Sequence, residues 1–196
     1  MEHIYEQIVN ALVNDGYGII PDALSVELNR SLREAVTQEY NFKQAGIAPS
    51  TTVHIDPNRR RDKIAWLDRD GKASQEYLDF AQGLQEYLNR TLYLGLRYYE
   101  AHFARYEVGD FYEKHLDAFK HSKNRVVTTV YYLNDNWQQG DGGMLYLYDK
   151  EDNLLEEIAP INNTLVVFLS EKFPHEVRPS CATRYSIAGW FRVDKL

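Results

Sequence analysis

Apolar residues in the first part of the chain recur every three to four positions, the spacing of one helix face. Ile4, Ile8, Ala11 and Leu12 form such a stripe, and Gly16 and Gly18 end it. Asp22 stands where an N-cap belongs, ahead of a second stripe of Leu24, Leu28, Leu32, Ala35 and Val36. A third begins near Ala73 and places Tyr77, Ala81, Leu84, Leu88 and Leu92 on one face. Residues 1–98 are therefore predicted to be mainly helical, and the stripes read as core contacts that support the second half of the chain. Between the second and third helices, residues 47–71 are polar and carry Arg59, Arg60 and Arg61 in succession, which predicts a mobile loop. Within that stretch, Asp62 to Trp66 has the composition of a short strand.

After Ala101 the period changes to two. Segments 126–133, 144–148, 164–169 and 184–193 are rich in β-branched and aromatic residues, and turn formers separate them at 134–136 and 140–143. Several short strands at close spacing predict a sandwich or jelly roll, not a parallel α/β sheet. The expected fold is mainly β with supporting helices. At 196 residues the chain suits a single domain, with helical support over 1–98 and a core over 99–196.

Charge and cysteine content narrow the partners. A net charge of −7 disfavours nucleic acid, whose phosphates select a basic surface. A lone cysteine, Cys181, forms no internal disulfide and suits a reducing compartment; it reads as inert. The N-terminus lacks the basic and apolar pattern of a signal peptide, and no apolar run approaches membrane-spanning length. The expectation is a cytoplasmic protein with no membrane association.

Four residues carry the candidate chemistry. His115 and Asp117 stand two apart, His175 comes sixty residues after His115, and Arg184 nine later. Two histidines and a carboxylate are the facial set that holds non-haem Fe(II) with open positions, although the same donors accept Mn, Co, Ni or Zn. Alternation along a strand would turn His115 and Asp117 to one side. A second His-x-Asp pair, His54 and Asp56, lies in the polar loop and lacks the rigid setting a metal site needs. His102 and His121 have no such context and read as structural or exposed.

On the last predicted strand Arg184, Ser186, Ala188 and Trp190 share a face. An inward arginine is costly unless paired, and no acid on its own strand answers it. A bound dicarboxylate and an internal ion pair both remain open as its counterion. Ser186, about 7 Å along the strand, adds a hydroxyl on the same side. Tyr106 and Tyr132 offer phenolic donors.

Together Arg105, Tyr106, Gly109, Phe111, Tyr112, His115, Asp117, Arg125, the run 131–134, Trp137, Gly142, Gly143, the segment 174–177 and the segment 182–186 form a pattern. It resembles the 2-oxoglutarate- and Fe(II)-dependent prolyl 4-hydroxylases. The similarity is strongest to the cytoplasmic branch that includes the hypoxia-inducible-factor prolyl hydroxylases and their bacterial relatives. It is dense over 99–193 and thinner over 15–98. The resemblance implies a double-stranded β-helix (jelly roll) with N-terminal α-helices packed on it. It implies His115, Asp117 and His175 as iron ligands, and Arg184 with Tyr132, Tyr106 and Ser186 at 2-oxoglutarate. Trp190, Tyr112 and Leu145 would line the pocket, and Arg59, Arg60, Arg61 and Trp66 would belong to a substrate-covering loop. The implied activity is a dioxygenase reaction that converts 2-oxoglutarate, O2 and a prolyl residue of a protein to succinate, CO2 and hydroxyproline. L-Ascorbate would maintain the iron, and an elongation factor is the implied target for a bacterial chain. The sequence departs from the pattern at 118–124 and in a shorter turn between Tyr106 and His115, positions that concern the substrate. Two other readings stay open: an oxygenase for a free amino acid or other small molecule, and a non-catalytic jelly-roll module that senses a metal or dicarboxylate.

Overall fold

The computed structural model describes residues 2–38, 40–46, 56–118 and 124–194. His54 and His121 lie outside them. Along the chain the elements are α1 (Glu2–Asn14), β1 (Tyr17–Ile20), α2 (Val26–Gln38), β2 (Lys43–Gln44), β3 (Lys63–Trp66), α3 (Lys72–Leu92), β4 (Tyr98–Tyr106), β5 (Tyr112–His115), β6 (Arg125–Tyr132), β7 (Leu145–Tyr148), β8 (Leu154–Ile158), β9 (Leu165–Leu169), β10 (His175–Val177) and β11 (Arg184–Arg192). A seven-stranded sheet runs β1-β9-β6-β11-β4-β3-β2, and a four-stranded sheet runs β5-β10-β7-β8. The strand pairs are antiparallel. The two sheets face each other in a jelly roll, as the sequence pattern predicts.

The larger sheet is covered on both faces, so its central strands are apolar on both sides. Val127 and Tyr131 of β6, Leu165 and Val167 of β9, Phe103 of β4, and Ile187 and Phe191 of β11 pack toward the helices, with Leu84, Leu88 and Tyr77 of α3. The alternate residues Val130, Val166, Phe168, Ala104 and Tyr106 point the other way, toward Leu145, Leu147 and Val177 of the smaller sheet. Period-two alternation thus gives one sheet two jobs, a helix-facing anchor and an inward working face.

The structure departs from the sequence pattern in three places. The N-cap of α2 is Ser25, whose Oγ accepts from Leu28 N at 3.2 Å; Asp22 instead adopts a turn with φ 51°. β1 is a short segment that the glycines around it disguise. It gains strand geometry from pairing with β9, Tyr17 opposite Phe168 and Ile20 opposite Leu165.

The third departure concerns the predicted mobile loop. Its first part, 47–55, lies outside the described residues, and within 56–71 residues 59–66 run along both sheets. Arg61 N donates to Phe111 O at 3.1 Å and Glu113 N to Arg59 O at 2.8 Å, so this segment lies along β5. The short strand expected over Asp62 to Trp66 is present as β3, which joins β4 with Lys63 opposite Arg105 and Trp66 opposite His102. Among the described residues no helix is long and apolar enough to cross a membrane.

α2 is tied down by a buried polar network. Tyr131 Oη accepts from Asn29 Nδ2 at 2.6 Å and donates to Asn163 Oδ1 at 2.8 Å, while Asn163 also bonds the backbone of Leu24. Under α3, Tyr99 Oη bonds Thr129 Oγ1 at 2.9 Å and Tyr77 Oη at 3.2 Å. Tyr99 lies directly over Gly189 in the middle of β11, where a Cβ would strike its phenol. Gly189→Ala is therefore expected to displace Tyr99 and destabilise the fold by about 1–3 kcal/mol. A urea midpoint equal to that of the unsubstituted chain would contradict this packing.

Candidate metal and co-substrate site

β4, β6 and β11 direct alternate side chains into the space between the sheets, and the ends of β5 and β10 close it. His175 opens β10 and lies directly opposite His115, the last residue of β5. That register brings the two imidazoles to a centroid separation of 4.3 Å. Asp117 is buried beyond the end of β5, so strand alternation does not place it; the course of the chain after His115 does.

Nε2 of His115 stands 3.7 Å from Asp117 Oδ1, and Nε2 of His175 stands 3.5 Å from Oδ2. One potential ligand atom from each residue lies within 4.8 Å of the others. Each imidazole Nδ1 meets a backbone carbonyl, Glu113 O at 2.7 Å and Phe173 O at 3.1 Å. A carbonyl only accepts, so Nδ1 carries the proton and Nε2 presents its lone pair to the shared centre. Burial, then the neighbouring His175, pushes the His115 pKa down. Burial works to raise that of Asp117, but His175, His115, Arg125 and the indole N–H of Trp190 together hold the carboxyl below its usual range. Neutral imidazole and ionised carboxylate are the forms that bind a metal.

Arg184 enters the same cleft from β11 and is 1% exposed. Its Nη1 donates to Ser186 Oγ at 3.2 Å, and its guanidinium lies 4.8 Å from the Tyr106 ring centre and 5.1 Å from that of Tyr132. Among the described residues, Nε and Nη2 have no hydrogen-bond partner, and neither does the buried Tyr132 Oη. Burial pushes Tyr132 up to about 12 against the pull of Arg184, and raises Tyr106 as well, so both phenols remain donors at neutral pH. A buried cation with two unpartnered nitrogens beside a phenol suits a carboxylate. Gly143 makes room for it: a Cβ there would press on Arg184 Cδ and Ser180 Oγ. The His-Asp-His group lies in the same cleft, so the donor set suits a metal together with a carboxylate-bearing ligand.

Comparison with known proteins agrees with this geometry. The model of the 2OG-Fe(II) oxygenase superfamily matches residues 101–192. Prolyl hydroxylase EGLN3 of Mus musculus is 32% identical over 200 residues, which cover 95% of this chain and 82% of that protein. The chain belongs to the 2-oxoglutarate- and Fe(II)-dependent prolyl hydroxylases. It is therefore an oxidoreductase, a dioxygenase of the prolyl hydroxylase type. A Pseudomonas putida prolyl-4-hydroxylase superposes with a TM-score of 0.86 at 32% identity, over 97% of this chain and 99% of that one. A Trichoplax adhaerens prolyl hydroxylase, solved with a hypoxia-inducible-factor oxygen-degradation-domain peptide fragment, superposes with a TM-score of 0.84 at 30% identity, over 97% and 90%.

Of the positions singled out in the sequence, Tyr106, Tyr112, Leu145, Ser186 and Trp190 line the cleft with the His-Asp-His group and Arg184. Tyr132 stands beside Arg184. Arg59, Arg61 and Trp66 are exposed. Arg60 is not a free loop cation: its Nε and Nη2 grip Asp62 at 2.6 and 2.9 Å, and its guanidinium lies 4.6 Å from the Tyr112 ring centre. Tyr112 in turn stacks on His115 at 3.7 Å.

Other residues of the site carried no readable signal in the sequence. Asp62 is fully buried, and Thr128 bonds Asp117 Oδ2 at 2.8 Å from a strand 11 positions later. His102, expected to be structural or exposed, is buried in the cleft wall between Trp66 and Trp190, with ring centres 5.2 and 5.5 Å away. Its alternation with Ala104 and Tyr106 on β4 is the one cue that pointed inward.

Burial, and then the charge of Arg60, lowers the His102 pKa from 6.5 to about 4. The unfolded chain therefore takes up this proton first as pH falls below 6.5. Folding stability associated with His102 is full above that value and is lost progressively toward pH 4. His102→Leu is expected to flatten the fall in urea midpoint between about pH 7 and about pH 5. An unchanged pH slope would show that His102 is not held neutral by the fold.

Proposed function

We propose that this prolyl hydroxylase binds Fe(II) through His115, Asp117 and His175 and 2-oxoglutarate through Arg184, and hydroxylates a prolyl residue of a protein. The observation that carries the reading is the buried, partly unpartnered Arg184 in one cleft with the His-Asp-His group. The bound iron and co-substrate supply the oxidising chemistry: 2-oxoglutarate and O2 yield succinate and CO2, with one oxygen atom delivered to the prolyl ring.

The chain's residues prepare that event. His115 and His175 each present Nε2 because a carbonyl holds the opposite nitrogen protonated. Arg184, with Ser186 and Tyr132 beside it, would hold the distal carboxylate of 2-oxoglutarate. Tyr106 closes one face of the guanidinium. Val130, Leu145 and Val177 give the cleft its dry wall, which strengthens the charge interactions inside it.

The breadth of the approach favours a protein segment over a free amino acid. The cleft adjoins an outer groove that shares Arg60, His102, Tyr112 and Trp190 with it and extends past Tyr40 and Trp66. Trp66 lines this groove, and Arg59 and Arg61, exposed on the same segment, are its proposed substrate-facing partners. An elongation factor is the target to test first for a bacterial-type chain. Ascorbate, supplied in a reducing cytoplasm, would restore iron oxidised in turnovers without substrate.

Two substitutions test the assignment. His115→Ala should abolish succinate formation and prolyl oxidation, read as loss of the one-oxygen mass gain in the target protein. Prolyl hydroxylation retained by a variant that has lost its iron would refute the ligand role. Arg184→Gln should raise the 2-oxoglutarate concentration needed for half-maximal turnover about 10- to 150-fold, the equivalent of ~1.5–3 kcal/mol for a charged hydrogen bond. Its Fe(II) affinity should stay the same.

A further inference from the structure

Asp117 stands apart from the two histidines in how it is held. His115 and His175 face each other across paired strands and each has a carbonyl on Nδ1, whereas Asp117 lies past the end of β5 without a ladder to orient it. Its side chain is fixed from the opposite sheet. Thr128 Oγ1 donates to Asp117 Oδ2 at 2.8 Å, and Ser170 Oγ lies 2.8 Å from Thr128 Oγ1.

Proton count sets the direction of this chain of hydroxyls. An ionised carboxylate only accepts, so the single Thr128 proton is committed to Asp117. The contact between the two hydroxyls then requires Ser170 to be the donor. Each is held by backbone: Thr128 pairs with Trp190 on one side and Phe168 on the other, and Ser170 N bonds Val126 O at 3.0 Å. Thr128 and Ser170 are 1% and 0% exposed, which excludes competing water from the relay.

We propose that Thr128 and Ser170 are positioning residues of the metal centre, a hydroxyl relay that holds Asp117 Oδ2 and fixes the plane of the carboxylate. The inference rests on the reading of His115, Asp117 and His175 as metal ligands. With one oxygen engaged by Thr128, the carboxylate cannot swing freely between one-oxygen and two-oxygen ligation. The relay thereby protects the open positions that the co-substrate and O2 require. It also couples Asp117 to β6, an inner strand of the larger sheet, whose other face carries the helices.

A packing role alone makes a different prediction. Thr128→Val keeps the β-branched shape and removes only the hydroxyl, so a structural Thr128 tolerates it. A positioning Thr128 does not. Apo-protein variants are titrated anaerobically with Mn(II), free ion being read by its magnetic-resonance signal, and then with Fe(II) and 2-oxoglutarate. Thr128→Val is expected to weaken Mn(II) binding about 10- to 100-fold while its urea midpoint is retained. Thr128→Ser should restore binding, and Ser170→Ala should weaken it by less than Thr128→Val. At saturating Fe(II) and 2-oxoglutarate, the visible charge-transfer band should shift in Thr128→Val and match the unsubstituted protein in Thr128→Ser.

Unchanged Mn(II) affinity and an unchanged band in Thr128→Val would overturn the proposal. Unchanged affinity in Ser170→Ala alone would remove Ser170 from the relay. Failure of the unsubstituted protein to bind either metal would instead overturn the ligand assignment on which the relay depends.

Discussion

A guanidinium that is buried without a countercharge constrains the whole interior. Arg184 is 1% exposed, and two of its nitrogens have no partner among the described residues. Leaving a charge in such a state costs several kcal/mol, which the surrounding fold must carry until an anion arrives. The larger sheet carries it by being covered on both faces. β11 is held between β4 and β6 along most of its length, and helices seal its outer surface. Tyr106 and Tyr132 then offer aromatic faces to the cation, a partial substitute for water.

The second constraint acts at the mouth of the cleft. Two sheets that only face each other could slide or splay, yet the metal-ligand set depends on β5 and β10 of the smaller sheet keeping their distance from Thr128 of the larger one. Segment 56–66 stitches them together. It lies along β5 at Arg59 to Arg61 and pairs with β4 from Lys63 to Trp66. Between these attachments Arg60 and Asp62 form a two-bond ion pair, and Arg60 lies over Tyr112, which stacks on His115. The segment carrying Arg60 and the imidazole of His115 therefore belong to one packed column.

Charge pairing in and around the cleft is also distributed unevenly. Glu100 accepts from both Arg125 and Arg192, and Arg125 also lies 3.8 Å from the Trp190 ring centre. Asp62 answers Arg60, and Asp117 is committed to Thr128 and to the imidazoles beside it. Of these four cations, Arg184 is the one left to an incoming anion. That asymmetry separates a structural ion-pair network from a binding site.

Much of this was legible in one sequence. Near-continuous β-branched and aromatic runs over 126–133 and 164–169 identify the sheet core because a strand buried on both faces needs apolar residues at every position. The residue types at His115, Asp117, His175 and Arg184 restrict the chemistry because few donor sets leave open positions on a metal and supply a carboxylate clamp as well. Other features needed the tertiary structure. β1 is a strand through its pairing with β9, not through its own four residues, and the N-cap of α2 moved from Asp22 to Ser25. Arg60 looked like one of three equivalent surface charges until Asp62 and Tyr112 enclosed it. Thr128 and Ser170 look like ordinary strand residues, and only the approach of β6 and β9 to the end of β5 gives them Asp117 as a neighbour. Sequence determined which chemical groups were present and the period of each element; contacts between residues far apart in the chain depend on how the two sheets close on each other, which no local pattern encodes.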